Sequence, residues 1–178
     1  MKTRITTCLV FLLSFSALVF GTSTEARAQA LPSVFSIQSL ANELTSPEKI
    51  ARFIFRNFSV ESDQTQFGRE EFWQSPAELL FNKKGDCEDF ALFAAEILKA
   101  NGISAFIVNV YGKKFAHTVC VFKDQGKYHV IDGDEVKLYD AQNLNDLFSK
   151  FYPHWETAAM VTYSAKENAG HVLKFFRK

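Results

Sequence analysis

Three side chains suited to acyl chemistry follow one another along this chain. Cys87 stands in Gly85-Asp86-Cys87-Glu88-Asp89-Phe90-Ala91, His117 in Ala116-His117-Thr118-Val119-Cys120-Val121-Phe122, and Asp132 in Tyr128-His129-Val130-Ile131-Asp132-Gly133-Asp134. A thiolate attacks a carbonyl carbon, an imidazole takes the thiol proton and returns it to a leaving amine, and a carboxylate holds the imidazole in one tautomer. Taken alone, a histidine in a strand or an Asp-Gly-Asp turn is commonplace. The order is more specific: a helix-start cysteine followed by two residues on adjacent strands.

The elements that must position these residues follow from pattern. Asp86 reads as a helix cap, with Glu88 and Asp89 in the first turn and Phe90, Ala94, Ile97 and Leu98 on the buried face until Asn101-Gly102 ends the helix. The unpaired amides of that first turn favour negative charge by about 0.3–1 kcal/mol, which lowers a thiol pKa. Glu88 and Asp89 would act the other way if they faced the sulfur. Successive helical positions turn by about 100°, which leaves them room to face elsewhere. Two earlier helices open at Ser46-Pro47 and Ser75-Pro76, a cap followed by proline at the first helical position; the second ends near Lys83-Lys84-Gly85. Residues 31–45 read as a lead-in with a short helix, and the polar stretch 59–72 as a loop.

Beyond Gly102 the period becomes two. Segments 104–111, 115–122 and 127–132 are rich in Ile, Val, Phe and Tyr and are separated by hairpin-like breaks, so an antiparallel meander is predicted. A short helix over 143–151 and strands over 158–164 and 171–177 complete an α+β pattern. Alternation sets His117, Val119 and Val121 on one face of their strand and Thr118, Cys120 and Phe122 on the other. If His117 faces Cys87, Cys120 then faces away, about 10 Å along the strand. That parity weighs against a Cys87–Cys120 disulfide, the alternative for two cysteines in an oxidising compartment.

Export is expected from the amino terminus. Lys2 and Arg4 precede an apolar run from Cys8 to Phe20, followed by Ala26-Arg27-Ala28 and Ala28-Gln29-Ala30. The run is too short for a membrane core needing about 20 residues, and the pattern is that of a cleaved secretory signal over residues 1–30. Its removal takes away Lys2, Arg4, Arg27 and Glu25, leaving seventeen basic and nineteen acidic residues, a formal charge of −2. Such a balance gives no basic surface for nucleic acid or anionic membrane. Residues 31–178 fit one domain, periplasmic or secreted, with nineteen phenylalanines in the whole chain to build a core. No His, Cys or Asp set has metal-ligand spacing. Glu88-Asp89 and Asp132-Asp134-Glu135 read as a helix start and a turn, so neither metal nor cofactor is expected.

The segments carrying Cys87, His117 and Asp132 resemble the transglutaminase-like superfamily, and most of all its small bacterial cysteine-proteinase branch. Trp73-Gln74-Ser75-Pro76 with Leu79-Leu80 is similar to the segment leading into that family's nucleophile, and the resemblance spans residues 70–134. It implies a papain-like α+β fold and a Cys-His-Asp triad at Cys87, His117 and Asp132. It also implies an indole oxyanion donor at Trp73, against which stands a packing role for the same ring. Two departures bear on substrate and acyl acceptor: Thr118 stands where many relatives have an aromatic residue, and Tyr128 where they often place Trp. The expected function is a cysteine protease or amidase acting on a protein or peptide. The alternatives are a cross-linking transglutaminase, a non-catalytic binding module of the same fold and a disulfide-stabilised exported domain.

Overall fold

The computed structural model describes residues 37–178. The expected signal at residues 1–30 and the start of the expected 31–178 domain lie outside the described residues. Chain order runs α1 (Ile37–Glu43), α2 (Pro47–Asn57), β1 (Ser59–Val60), α3 (Asp63–Phe67), α4 (Pro76–Asn82), β2 (Lys84–Gly85) and α5 (Cys87–Ala100). It continues with β3 (Ala105–Gly112), β4 (Phe115–Asp124), β5 (Lys127–Asp132), β6 (Glu135–Ala141), α6 (Leu144–Phe151), β7 (Trp155–Ser164) and β8 (Ala169–Arg177). The architecture is α+β. A six-stranded sheet of order β6-β5-β4-β3-β7-β8, antiparallel throughout, follows a helical first half.

Local chemistry explains where the helices begin. Ser46 accepts from the Lys49 amide with Pro47 in the first turn, and Ser75 with Glu78 forms a capping box at α4. Asp86 and Asp89 form a second box that starts α5. Helix α5 is buried almost all round, including Phe90, Phe93, Ala94, Ile97 and Leu98. It therefore serves as the central element, between the other helices and the sheet. The fully buried Phe93 stacks on the partly buried Phe53 of α2 at 5.6 Å, and burial of a side chain such as Phe93 contributes about 1.5–3 kcal/mol. On the opposite sheet face α6 supplies Leu147 and Phe148, which pack with Val110, Val119, Val121, Val130 and Trp155.

Strand parity sorts these two cores and corrects one expectation. Cys120 and Phe122 belong with Ile107, Ile131 and the α5 side chains, whereas Val119 and Val121 face α6. Cys120 therefore lies on the α5 side of the sheet. What separates the cysteines is position along the helix: Cys120 senses Glu96 and Lys99 near the far end of α5, about 13 Å of helical rise from Cys87. Both cysteines are free. Residues 59–72 hold the short β1 and α3 as well as loop, and β6 fills 135–141. Edge strand β6 is only partly buried and mixes charged with apolar residues, so its sequence carries little alternation.

The start of α5 tolerates no added bulk. A Cβ at Gly85 would collide with the Asp89 carboxylate and lie 2.9 Å from Leu79 Cδ1. Gly85→Ala is expected to cost about 1–3 kcal/mol by overpacking, read as a thermal midpoint lowered by several degrees; an unchanged midpoint would refute this account of the turn.

Candidate active site

Cys87 is the first residue of α5, where Gly85-Asp86 leaves β2 and the helix begins. The Thr118 amide donates to its sulfur, a contact from β4 that only the assembled sheet provides. The thiol donates to Glu88 Oε2 at 3.2 Å. Glu88 thus faces the sulfur, contrary to the expectation that it had room to point elsewhere. Burial first, and then the Glu88 charge, push the Cys87 thiol up to about 12. Burial and Asp86 also raise the Glu88 carboxyl well above the usual carboxylate range. These two shifts compete: a protonated Glu88 does not repel a thiolate. At neutral pH the loss of hydration is therefore the main brake on ionising Cys87.

His117 and Asp132 meet on neighbouring strands. His117 Nε2 lies 2.6 Å from Asp132 Oδ1, at the ends of β4 and β5 nearest the start of α5. Burial alone would raise Asp132. The hydrogen bond and charge of His117, together with Lys137 at 3.4 Å, hold it below the usual carboxylate range. An ionised Asp132 accepts, so Nε2 carries the proton and Nδ1 is left as the basic nitrogen. Cys87, His117 and Asp132 line one cleft of about 530 Å³, opposite Ile54, Phe55 and Val60. Among the described residues no hydrogen bond joins the thiol to the imidazole, since each is engaged with its own carboxylate.

Trp73 is not part of this cleft. Its indole N–H donates to Glu71 at 2.6 Å, its ring is 1% exposed, and a Cβ at Gly170 of β8 would lie 2.6 Å from it. This is a packing position, and the expectation of an oxyanion donor there is corrected: the side chain is spent clamping the β8 end of the sheet to the 71–74 segment. Tyr152 is the residue that sequence reasoning missed. It follows α6, packs edge-on to His117 with ring centroids 6.1 Å apart, and buries a hydroxyl that has no hydrogen-bond partner among the described residues. The aromatic pair Phe151-Tyr152 was visible in the sequence, but nothing there aimed it at His117.

A second feature surrounds Cys87. Oxygens of Asp63, Asp86 and Asp89 lie within 4.8 Å of one another, as do those of Asp63, Glu71 and Glu88. Burial pushes Asp63 up to about 6 and Asp89 up to about 7. The Asp63 and Asp86 side chains each share a hydrogen bond with the Glu88 carboxyl. Carboxylate oxygens in so tight a group suit a hard divalent cation, which takes 6–8 oxygens. The sequence hid this grouping because Asp63 and Glu71 come from the stretch read as loop. The acidic turn Asp132-Asp134-Glu135 is different: Asp132 and Glu135 are held by Lys137.

Comparison with known proteins places these observations. A model of the family described as "Transglutaminase-like domain" matches residues 31–152. The structure resembles calcium-bound LapG from Legionella pneumophila, at 21% identity over 79% of this chain and 77% of that one, with a TM-score of 0.51. A further LapG structure from that organism aligns at 20% identity over 72% of this chain and 82% of the other, with a TM-score of 0.48. A candidate cysteine protease from Cytophaga hutchinsonii aligns at 16% identity over 80% of this chain and 49% of the other, with a TM-score of 0.46. No curated protein matches the sequence.

The carboxylate shifts carry a signed consequence for stability. Asp63, Glu88 and Asp89 are raised, so from about pH 4 upward the folded chain holds more protons than the unfolded one, and stability falls as pH rises through that window. Asp132 is lowered, and its contribution is lost only at more acidic pH. In chelator-containing buffer the thermal midpoint should fall between about pH 5 and pH 8. A midpoint flat with pH would contradict this reading of the cluster.

Proposed function

The chain belongs to the transglutaminase-like domain family, and from that premise we propose that it is an exported thiol acyl-transfer enzyme, a cysteine protease or amidase acting on polypeptide. The supporting observation is the 2.6 Å His117–Asp132 hydrogen bond on the same cleft as a cysteine at a helix start. Cys87 is the nucleophile, His117 the base and Asp132 the group that orients the imidazole.

In the proposed cycle the Cys87 thiol turns from Glu88 toward His117 and gives its proton to Nδ1. The sulfur then adds to the substrate carbonyl, and backbone amides of the first turn of α5 donate to the oxyanion. His117 returns the proton to the leaving amine as the C–N bond breaks, and water attacks the resulting thioester with His117 again as base. Asp63, Glu71 and Glu88 are the residues that would hold a divalent cation, whose charge would offset the carboxylates beside the sulfur. Secretion through the segment at residues 1–30, and a single mature domain over 31–178, belong to the same proposal.

Alkylation of the mature protein by iodoacetamide tests the thiol chemistry. Because the proposed turn toward His117 replaces the surroundings that push the resting thiol up to about 12, Cys87 should react faster than a free thiol peptide near pH 6, and His117→Ala should abolish that advantage. Asp132→Asn should lower hydrolysis of casein by about 10²–10⁴-fold, and Cys87→Ala should eliminate it. Wild-type reactivity no greater than the free peptide's would overturn the proposal. Release of free peptides distinguishes water from amine as the acceptor.

A further inference from the structure

The cleft has an open backbone edge beside the nucleophile. Strand β1 pairs in parallel with β2, just before Cys87, with Ser59 opposite Lys84 and Val60 opposite Gly85. The ladder uses the Ser59 and Glu61 amides, which donate to the Lys83 and Gly85 carbonyls. Backbone groups alternate direction along a strand, so the N–H and C=O of Val60 point to the other edge. This sheet has only two strands, and among the described residues no strand covers that edge. The outer side of β2 is different, since the Gln74 side chain donates to the Lys84 carbonyl.

Side chains around the edge have an equally selective character. Val60 is 81% and Phe55 70% exposed, and both line the Cys87 cleft with Phe58 and Phe90. Large apolar side chains left in water around a concave site mark a contact surface. Across the cleft stand Asp132, Asp134 and Glu135, with no Lys or Arg among the lining residues. Asp132 and Glu135 are engaged with Lys137, while Asp134 has no ion-pair partner among the described residues.

We propose that β1 is the substrate-binding edge: an extended polypeptide segment pairs with the N–H and C=O of Val60, setting a bulky apolar side chain against Phe55 and a basic one toward Asp134. The inference rests on the acyl-transfer reading of Cys87 and narrows its substrate to unfolded or unstructured chain, by strand addition at a sheet edge. A small amide, or a side chain presented by a folded protein, would leave both the edge and the apolar wall unused.

Val60→Pro removes the outward N–H while sparing the Ser59 and Glu61 amides that bind β2, and the preceding Ser59 is already extended. Val60→Ala retains the N–H and serves as control, and Phe55→Ser tests the apolar wall at an exposed site. The readout is protection of Cys87 from iodoacetamide by casein, an unstructured polypeptide, with circular dichroism to verify folding. Casein should protect the wild type and Val60→Ala alike, with protection weakened about fivefold in Val60→Pro and also reduced in Phe55→Ser. Equal protection in all four proteins overturns the proposal, as does protection by a small amide such as acetamide that matches casein's. Slow alkylation of Cys87 without casein counts against the thiol chemistry instead, and the protection ratios still decide the edge. Should Val60→Pro fail to fold, Phe55→Ser carries the decision: undiminished protection in that variant overturns the proposal.

Discussion

A single buried carboxylate holds the site's framework in place. Asp89, 1% exposed, accepts from the Gln74 amide at 2.7 Å, from Gln74 Nε2 at 2.6 Å and from the Asp86 amide at 3.3 Å. Those bonds join the segment before α4, the turn before α5 and the first turn of α5 itself. Gln74 extends the chain of contacts to the Lys84 carbonyl and to Asn82. Leaving one buried polar group of such a network without its partner typically costs about 1–3 kcal/mol. Here the direction of α5, and hence the placement of Cys87, would be lost with it. Gly85 is required at the same point because the carboxylate occupies the space where a Cβ would stand.

The same construction sets the nucleophile in a difficult electrostatic environment. Helix-start amides and the Thr118 N–H favour a thiolate, whereas burial and the neighbouring carboxylates favour the thiol. With the sulfur hydrogen-bonded to Glu88 and the imidazole to Asp132, the structure places the thiol and the imidazole on one cleft but each with its own partner. In the proposed cycle, activation is a short rotation of the thiol away from Glu88, local to the first turn of α5. The sheet supplies rigidity: β4 and β5 carry His117 and Asp132 at fixed separation, and Tyr152 packs against the imidazole from the α6 side.

Much of the architecture was legible because it rests on local signals. Capping residues announced α2, α4 and α5, and alternation announced β3, β4 and β5, since both reflect backbone bonding and burial within a few residues. The exceptions have physical causes. Strand β6 lies at a charged edge, and β1 and α3 are too short to show a period. Parity was read correctly as a two-faced strand, yet assigning α5 to one of those faces needed the packed core, and there the placement of Cys120 was reversed.

Sequence alone determined the order of Cys87, His117 and Asp132, the helix start beneath Cys87 and the neighbouring strands beneath His117 and Asp132, because caps and period-two burial are short-range properties. Only the tertiary structure decided what surrounds them. It brought Asp63 and Glu71 to Asp86 and Glu88, turned Glu88 onto the sulfur, sent Trp73 to β8 and left the Val60 edge open beside the cleft. These outcomes depend on groups far apart in the chain sharing one desolvated space. Hydration lost on packing sets both the carboxylate shifts and the state of the thiol, and no local pattern of residues encodes it.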